Sequence, residues 1–164
     1  MNFKKIIFAT DFSAASTSAL AYAAALARDS GAILVITHIE ELPVSYPGGE
    51  MVFIQPDYPN PVLKTMLEAV VPKDPAVRYE HQLRMGAAAD EIVRMAQEMD
   101  ADLIVIGTHG RTGLRRILMG SVAEGVMRRA TCPVLTIRAA ADAGQGQTIE
   151  SSSTTGVTDA VRPN

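Results

Sequence analysis

The residues best suited to handle a phosphate in this chain fall directly after apolar runs. The stretch "GTHGRTGLRRILMGS", residues 107–121, holds four glycines, three arginines and one histidine. Gly107 and Gly110 follow the run "DLIVI", and Gly120 and Ser121 open the helix-like run "SVAEGVMRRA". Glycine backbone allows close approach of a ligand and positive φ. The start of a helix offers unsatisfied N–H groups and about half a positive charge, which favours an anion. Ser121 adds a hydroxyl, and Arg111, Arg115 and Arg116 add charge. The chemistry implied is a phosphate cradle. The alternative is a glycine-rich connector with solvated arginines. The stretch is neither a Walker A loop, because no Gly-Lys-Ser/Thr occurs, nor the G-x-G-x-x-G fingerprint.

Asp11 follows the first apolar run and is a candidate Mg2+ contact, since a carboxylate commonly shares a metal with a triphosphate. Its other role would be to cap the first helix alongside Ser13. His109 lies inside the basic loop and reads either as a phosphate contact or proton carrier, or as a solvated histidine. His38 reads as a satisfied histidine near the core, and His81 as solvent-facing on an edge strand. No three histidines or acids have metal-ligand spacing. Cys132 is the one cysteine, which excludes an internal disulfide. It reads as a small core residue. Met85, Met95, Met99, Met119 and Met127 also read as core.

The elements that must position these groups alternate. Residues 4–10, 32–39, 76–85, 102–107 and 132–138 read as strands, the third nearer an edge. Residues 14–30, 62–71, 88–100 and 121–130 read as helices, with Ser13 capping the first and Gly31 stopping it. Between Glu40 and Pro61 the pattern breaks into a proline-rich excursion with Gly48 and Gly49. Such loops are often lids or interface segments. Residues 139–164 are small and polar and read as a disordered tail. Alternation of this kind predicts a parallel sheet covered by helices on both faces. Ligands in such folds sit beyond the carboxyl ends of the strands, where strand order reverses, which singles out Thr10 and Asp11, Ile39 and Glu40, and Gly107 onward.

Length and charge narrow the classes. The 164 residues suit one domain, and 48% are apolar. A net charge of −3 argues against a general nucleic-acid binder. No apolar run approaches the roughly 18 residues of a membrane helix, and the N-terminus is too short in apolar residues for a signal peptide. The expectation is a soluble, cytoplasmic protein.

The spacing Gly107-x2-Gly110-x9-Gly120-Ser121 resembles the ATP-binding signature of the universal stress protein family. "KKIIFATDFSAAS" resembles that family's opening strand and turn, and residues 102–138 resemble its C-terminal half. The resemblance spans roughly residues 3–138, with one departure at Ala9, where the family often has proline. It implies an open five-stranded α/β sheet in the order 3-2-1-4-5, Rossmann-like and similar to adenine nucleotide alpha hydrolases. It implies ATP, with Mg2+, as ligand. Carried over, Ala9, Thr10 and Asp11 line the ribose and phosphate side, and the main chain of Ile39 meets the adenine. Ile106 and Gly107 begin the wall beneath the nucleotide, and Gly110, Arg111, Gly120, Ser121 and Val122 surround the phosphates. It further implies a homodimer through the last strand, Cys132–Arg138, whose edge would otherwise stay unpaired. Efficient hydrolysis needs a base and a positioned water. The residues offer no base beyond Asp11 or His109, so the expectation is a nucleotide-dependent regulator of the stress response with at most slow hydrolysis. The competing class is a ligand-free interaction module that contacts an unidentified protein partner through segment 40–61. An adenylating enzyme is disfavoured, because its first turn should be glycine-rich and "ATDFSAAS" has no glycine.

Overall fold

The computed structural model describes residues 3–41, 60–108 and 119–138. Five strands alternate with four helices in chain order. They are β1 (Lys5–Ala9), α1 (Ala14–Ser30), β2 (Ile33–Glu40), α2 (Pro61–Glu68), β3 (Tyr79–Met85), α3 (Ala88–Glu98), β4 (Leu103–Gly107), α4 (Ser121–Arg129) and β5 (Val134–Ile137). All strand pairs are parallel, in the order β3-β2-β1-β4-β5. The expected fold and strand order are therefore present.

The central strands are apolar throughout because both sheet faces are covered. One face carries Ile7, Ala9, Val35, Ile104 and Ile106 against α3 and α4. The other carries Ile6, Phe8, Leu34, Ile36 and Val105 against the alanine stripe of α1 and Leu67 of α2. That stripe, Ala15, Ala19, Ala23 and Ala27, repeats every four residues and so stays on one helix face. Its small side chains let the helix lie close to the sheet. Ser13 caps α1 by accepting from the Ser16 N–H, and Gly31 ends the helix at φ 70, a left-handed C-cap that glycine adopts without a Cβ penalty.

Several sequence expectations change in detail. The third strand begins at Tyr79 rather than at residue 76, and α2 spans 61–68 rather than 62–71. Asn60 caps α2 by accepting from Val62 and Leu63 N–H, with Pro61 in its first turn. His81 lies on the edge strand but is not solvent-facing. Its Nε2 bonds the Val70 carbonyl at 2.8 Å, and it meets the Tyr79 ring edge-on. Met127 is 49% exposed and is not core, whereas Met95 is fully buried. Cys132 packs against the α3/α4 side of the core, and burial pushes its thiol pKa up. Residues 139–164 and 42–59 lie outside the described residues, as do the readings placed on them.

Candidate functional site at the carboxyl ends of the strands

Strand order reverses between β1 and β4, since β2 and β3 extend the sheet to one side of β1 and β4 and β5 to the other. A cavity of about 610 Å³ opens there, within the range typical of small-molecule sites. The predicted residues Ala9, Thr10, Asp11, Ile39, Ile106 and Gly107 all line it. So do Gly120, Ser121 and Val122, which arrive from the start of α4. Gly110 and Arg111 lie outside the described residues, as do His109, Arg115 and Arg116.

The first wall is the β1–α1 turn. The Thr10 N–H bonds the Thr37 carbonyl at 2.9 Å, prolonging the β1–β2 ladder by one step. The Thr10 hydroxyl is committed within the turn: it donates to Ser16 Oγ at 3.0 Å and accepts from the Phe12 N–H at 3.0 Å. Asp11 Oδ1 accepts from both the N–H and the hydroxyl of Ser13, at 3.1 and 2.6 Å. Asp11 thus holds the capping residue rather than capping the helix itself, and Oδ2 takes no part in the turn. Phe12 is forced to φ 64. A non-glycine residue there carries strain that its surroundings must over-determine. Its ring lies 4.4 Å from that of His38, and it packs against the α1 side of the core. His38, itself buried, donates Nδ1–H to the Thr10 carbonyl at 2.8 Å.

The opposite wall is β4 and α4. Gly107 lies close against the start of α1. A Cβ there would meet the Ala15 carbonyl carbon at 3.3 Å and its Cβ at 3.5 Å. The two ends of the glycine-rich segment meet where the Gly120 N–H bonds the Thr108 carbonyl at 2.7 Å. Gly120 is the N-cap of α4 and provides no side-chain hydrogen bond to the helix start. The first N–H groups of α4 are thus left without a side-chain cap at the cavity wall, the arrangement that attracts an anion.

The third wall is the end of β2. β1 pairing stops at Ala9–Thr37, so Ile39 and Glu40 overhang it. Ile39, Leu63 from α2 and Ile92 from α3 make this part of the cavity apolar. Sequence reasoning placed Ile39 here, with Glu40 beside it at the same strand end, but not His38, Leu63 or Ile92. Leu63 and Ile92 come from helices distant in the chain. The signal for Glu40 was its place at the end of an apolar strand beside a predicted site residue. Among the described residues no group of three His, Cys, Asp or Glu side chains is arranged to hold a metal alone. A metal here would share Asp11 with ligand phosphates.

Comparison with known proteins agrees with this architecture. The family model described as the universal stress protein family matches residues 2–138. The chain is 35% identical over 144 residues to universal stress protein A homolog 1 of Coxiella burnetii, covering 84% of this chain and 97% of that one. It is 52% identical over 62 residues to universal stress protein MJ0531 of Methanocaldococcus jannaschii, where the match spans 38% of this chain and 36% of that protein. Among solved structures, the universal stress protein from Archaeoglobus fulgidus in complex with dAMP aligns with a TM-score of 0.58 and 28% identity, covering 84% of this chain and 99% of that one. A universal stress protein in complex with cAMP aligns with a TM-score of 0.59 and 26% identity, covering 85% of this chain and 100% of that one. With the family model spanning residues 2–138 and a relative 35% identical over 97% of its own length, this chain belongs to the universal stress protein family.

Proposed function

We propose that this chain binds ATP, with Mg2+, in the cavity beyond β1, β2 and β4, and works as a nucleotide-dependent regulator of the stress response rather than as a fast ATPase. The observation that carries this reading is the convergence of Asp11, Gly107 and the uncapped start of α4 on one cavity at the strand-order reversal. Two related structures that hold adenine nucleotides, dAMP and cAMP, support the ligand class.

The cavity suits the two ends of a nucleotide. The α4 N-terminus, Gly120 and Ser121 favour phosphate. The apolar stretch made by Ile39, Leu63 and Ile92 favours a base. Ala9, Thr10, Ile106 and Val122 line the walls between, and the family resemblance assigns Gly110 and Arg111, which lie outside the described residues, to the phosphates. Asp11 Oδ2 would meet the metal, which supplies neutralisation of phosphate charge. A hard cation commonly takes one carboxylate plus phosphate oxygens and waters.

Regulation fits better than turnover. Of the two candidate bases, Asp11 has its Oδ1 tied to Ser13, and His109 lies outside the described residues. Binding can act by favouring one conformation or one assembly through differential affinity. Among the described residues β5 has β4 on one side and no strand on the other and is half-buried, so a second copy pairing along it would complete the sheet edge as a homodimer.

Calorimetric titration with Mg-ATP, using Gly110→Val as the control, tests the proposal. Saturable binding that the variant loses is the expected result. No binding at millimolar ATP by folded protein free of co-purified nucleotide would overturn it, and the glycine-rich segment would then be scaffold.

A further inference from the structure

We propose that Glu40 reads the base: its carboxylate accepts a hydrogen bond from the exocyclic amino group of adenine and selects a 6-amino purine over a 6-keto purine. This inference rests on the nucleotide site proposed above.

Glu40 is the last residue of β2 and lines the cavity next to Ile39. Its main chain is held on the far side from β1, where Glu40 pairs with Met85 and its carbonyl accepts from the Gly86 N–H at 3.0 Å. The side chain is held by one oxygen. Oε1 accepts from Asn60 Nδ2 at 3.2 Å, and Asn60 in turn caps α2. Oε2 is buried and has no hydrogen-bond partner among the described residues. A buried acceptor without a partner is unfavourable. Among the described residues no Lys or Arg lines this cavity. A ligand in the cavity can supply the missing donor.

Electrostatics sets which part of the ligand arrives. The carboxylates of Glu40 and Glu41 stand at the β2 end, and the positive end of the α4 dipole stands across the cavity. Phosphates are repelled from the first and attracted to the second. The base therefore lies toward β2, against the apolar side chains of Ile39 and Leu63. Adenine presents an amino group at its 6-position, a donor. Hypoxanthine and guanine present a carbonyl oxygen there, which would face a carboxylate with acceptor against acceptor. Guanine could instead offer its N1–H and 2-amino group to both oxygens of a carboxylate. Here Asn60 already holds Oε1, which leaves one oxygen and matches a single amino donor. Contact requires Oε2 to turn toward the lumen that Glu40 already lines while Oε1 keeps its bond from Asn60.

The test compares ATP, ITP and GTP on the whole chain by calorimetry, with native protein and Glu40→Gln. Native protein is expected to bind ATP at least about tenfold more tightly than ITP or GTP, the discrimination of one charge-assisted hydrogen bond. Glutamine keeps the shape and the acceptor for Asn60 and can donate to a 6-keto oxygen. Glu40→Gln should therefore narrow the ATP-over-ITP ratio about tenfold. Native protein that binds ATP and ITP within about twofold overturns the inference, and needs no variant to show it. So does a Glu40→Gln protein, folded by its melting curve, that loses ATP and ITP equally, because Glu40 would then serve the sugar or the fold. Failure of every nucleotide to bind is a different result and overturns the nucleotide site itself.

Discussion

His38 Nδ1 lies 2.8 Å from the Thr10 carbonyl oxygen and donates its hydrogen to it, tying the end of β2 to the turn that carries Asp11. The bond is buried, and the Phe12 ring at φ 64 leans on the same imidazole. Replacing His38 by Ala leaves a buried carbonyl without its partner and removes the support of a strained residue. We expect a loss of about 1–3 kcal/mol, the usual cost of an orphaned buried acceptor. Urea unfolding checks it. ATP affinity should fall as well, since Asp11 is displaced. Unchanged stability would mean that the turn holds itself.

Gly107 combines two demands that can be separated. A Cβ at this position would press on the Ala15 main chain at 3.3 Å. Gly107→Ala should therefore lower stability in the absence of any nucleotide, by about 1–3 kcal/mol, the range of overpacked sites. Thermal denaturation of ligand-free protein is the check. A variant with native stability would show that α1 yields freely, and that the need for glycine here comes from the ligand alone.

Asp11 separates turn from metal. Asn keeps an Oδ1 that can accept from Ser13, so Asp11→Asn should fold with near-native stability. It removes the negative charge, so the gain in ATP affinity on adding Mg2+ should shrink by about tenfold, the worth of one charge-assisted contact. Titrations with and without Mg2+ measure that gain. An undiminished Mg2+ effect would remove Asp11 from the metal.

Asp102 ties the start of β1 to the start of β4. Its Oδ2 accepts from the N–H groups of Lys5 and Lys4, at 2.9 and 2.7 Å. These bonds hold its pKa below the usual carboxylate value, the Lys5 bond foremost. A carboxyl with a depressed folded pKa stabilises above its unfolded value, and the contribution fades as pH falls through the folded one. Asp102→Ala should therefore destabilise near neutral pH and matter progressively less below about pH 4. Urea midpoints across pH 2.5–7 read this directly. A deficit independent of pH would place the effect in packing.

Light scattering addresses assembly. β5 is half-buried and pairs with β4 at Ile104–Val134 through Gly107–Ile137, and its other edge has no strand partner among the described residues. A homodimer is expected at micromolar protein, and a Thr136→Pro variant should shift it toward monomer, since proline cannot donate to a ladder. A clean monomer for the native chain would overturn the dimer.

The sequence by itself determined the elements and their order. Short apolar runs such as 5–9 and 103–107 read as strands covered on both faces, and the alanine stripe of 14–30 has one face to bury. Strand–helix alternation then leaves a parallel sheet as the economical packing. The sequence also located Asp11, Gly107, Gly120 and Ser121, because glycine spacing and a carboxylate after a strand are local signals. What lay beyond it is non-local. His38 and Thr10 stand 28 residues apart, and Glu40 and Asn60 stand 20 apart. Neither spacing carries a period that could announce a contact. The role of Gly107 against Ala15 likewise arises only when β4 lies beside β1 and beneath α1. Tertiary packing brings those groups together, and burial turns each polar atom among them into one that must find a partner. That requirement makes His38 a support for the turn and leaves Glu40 Oε2 as the acceptor still to be met.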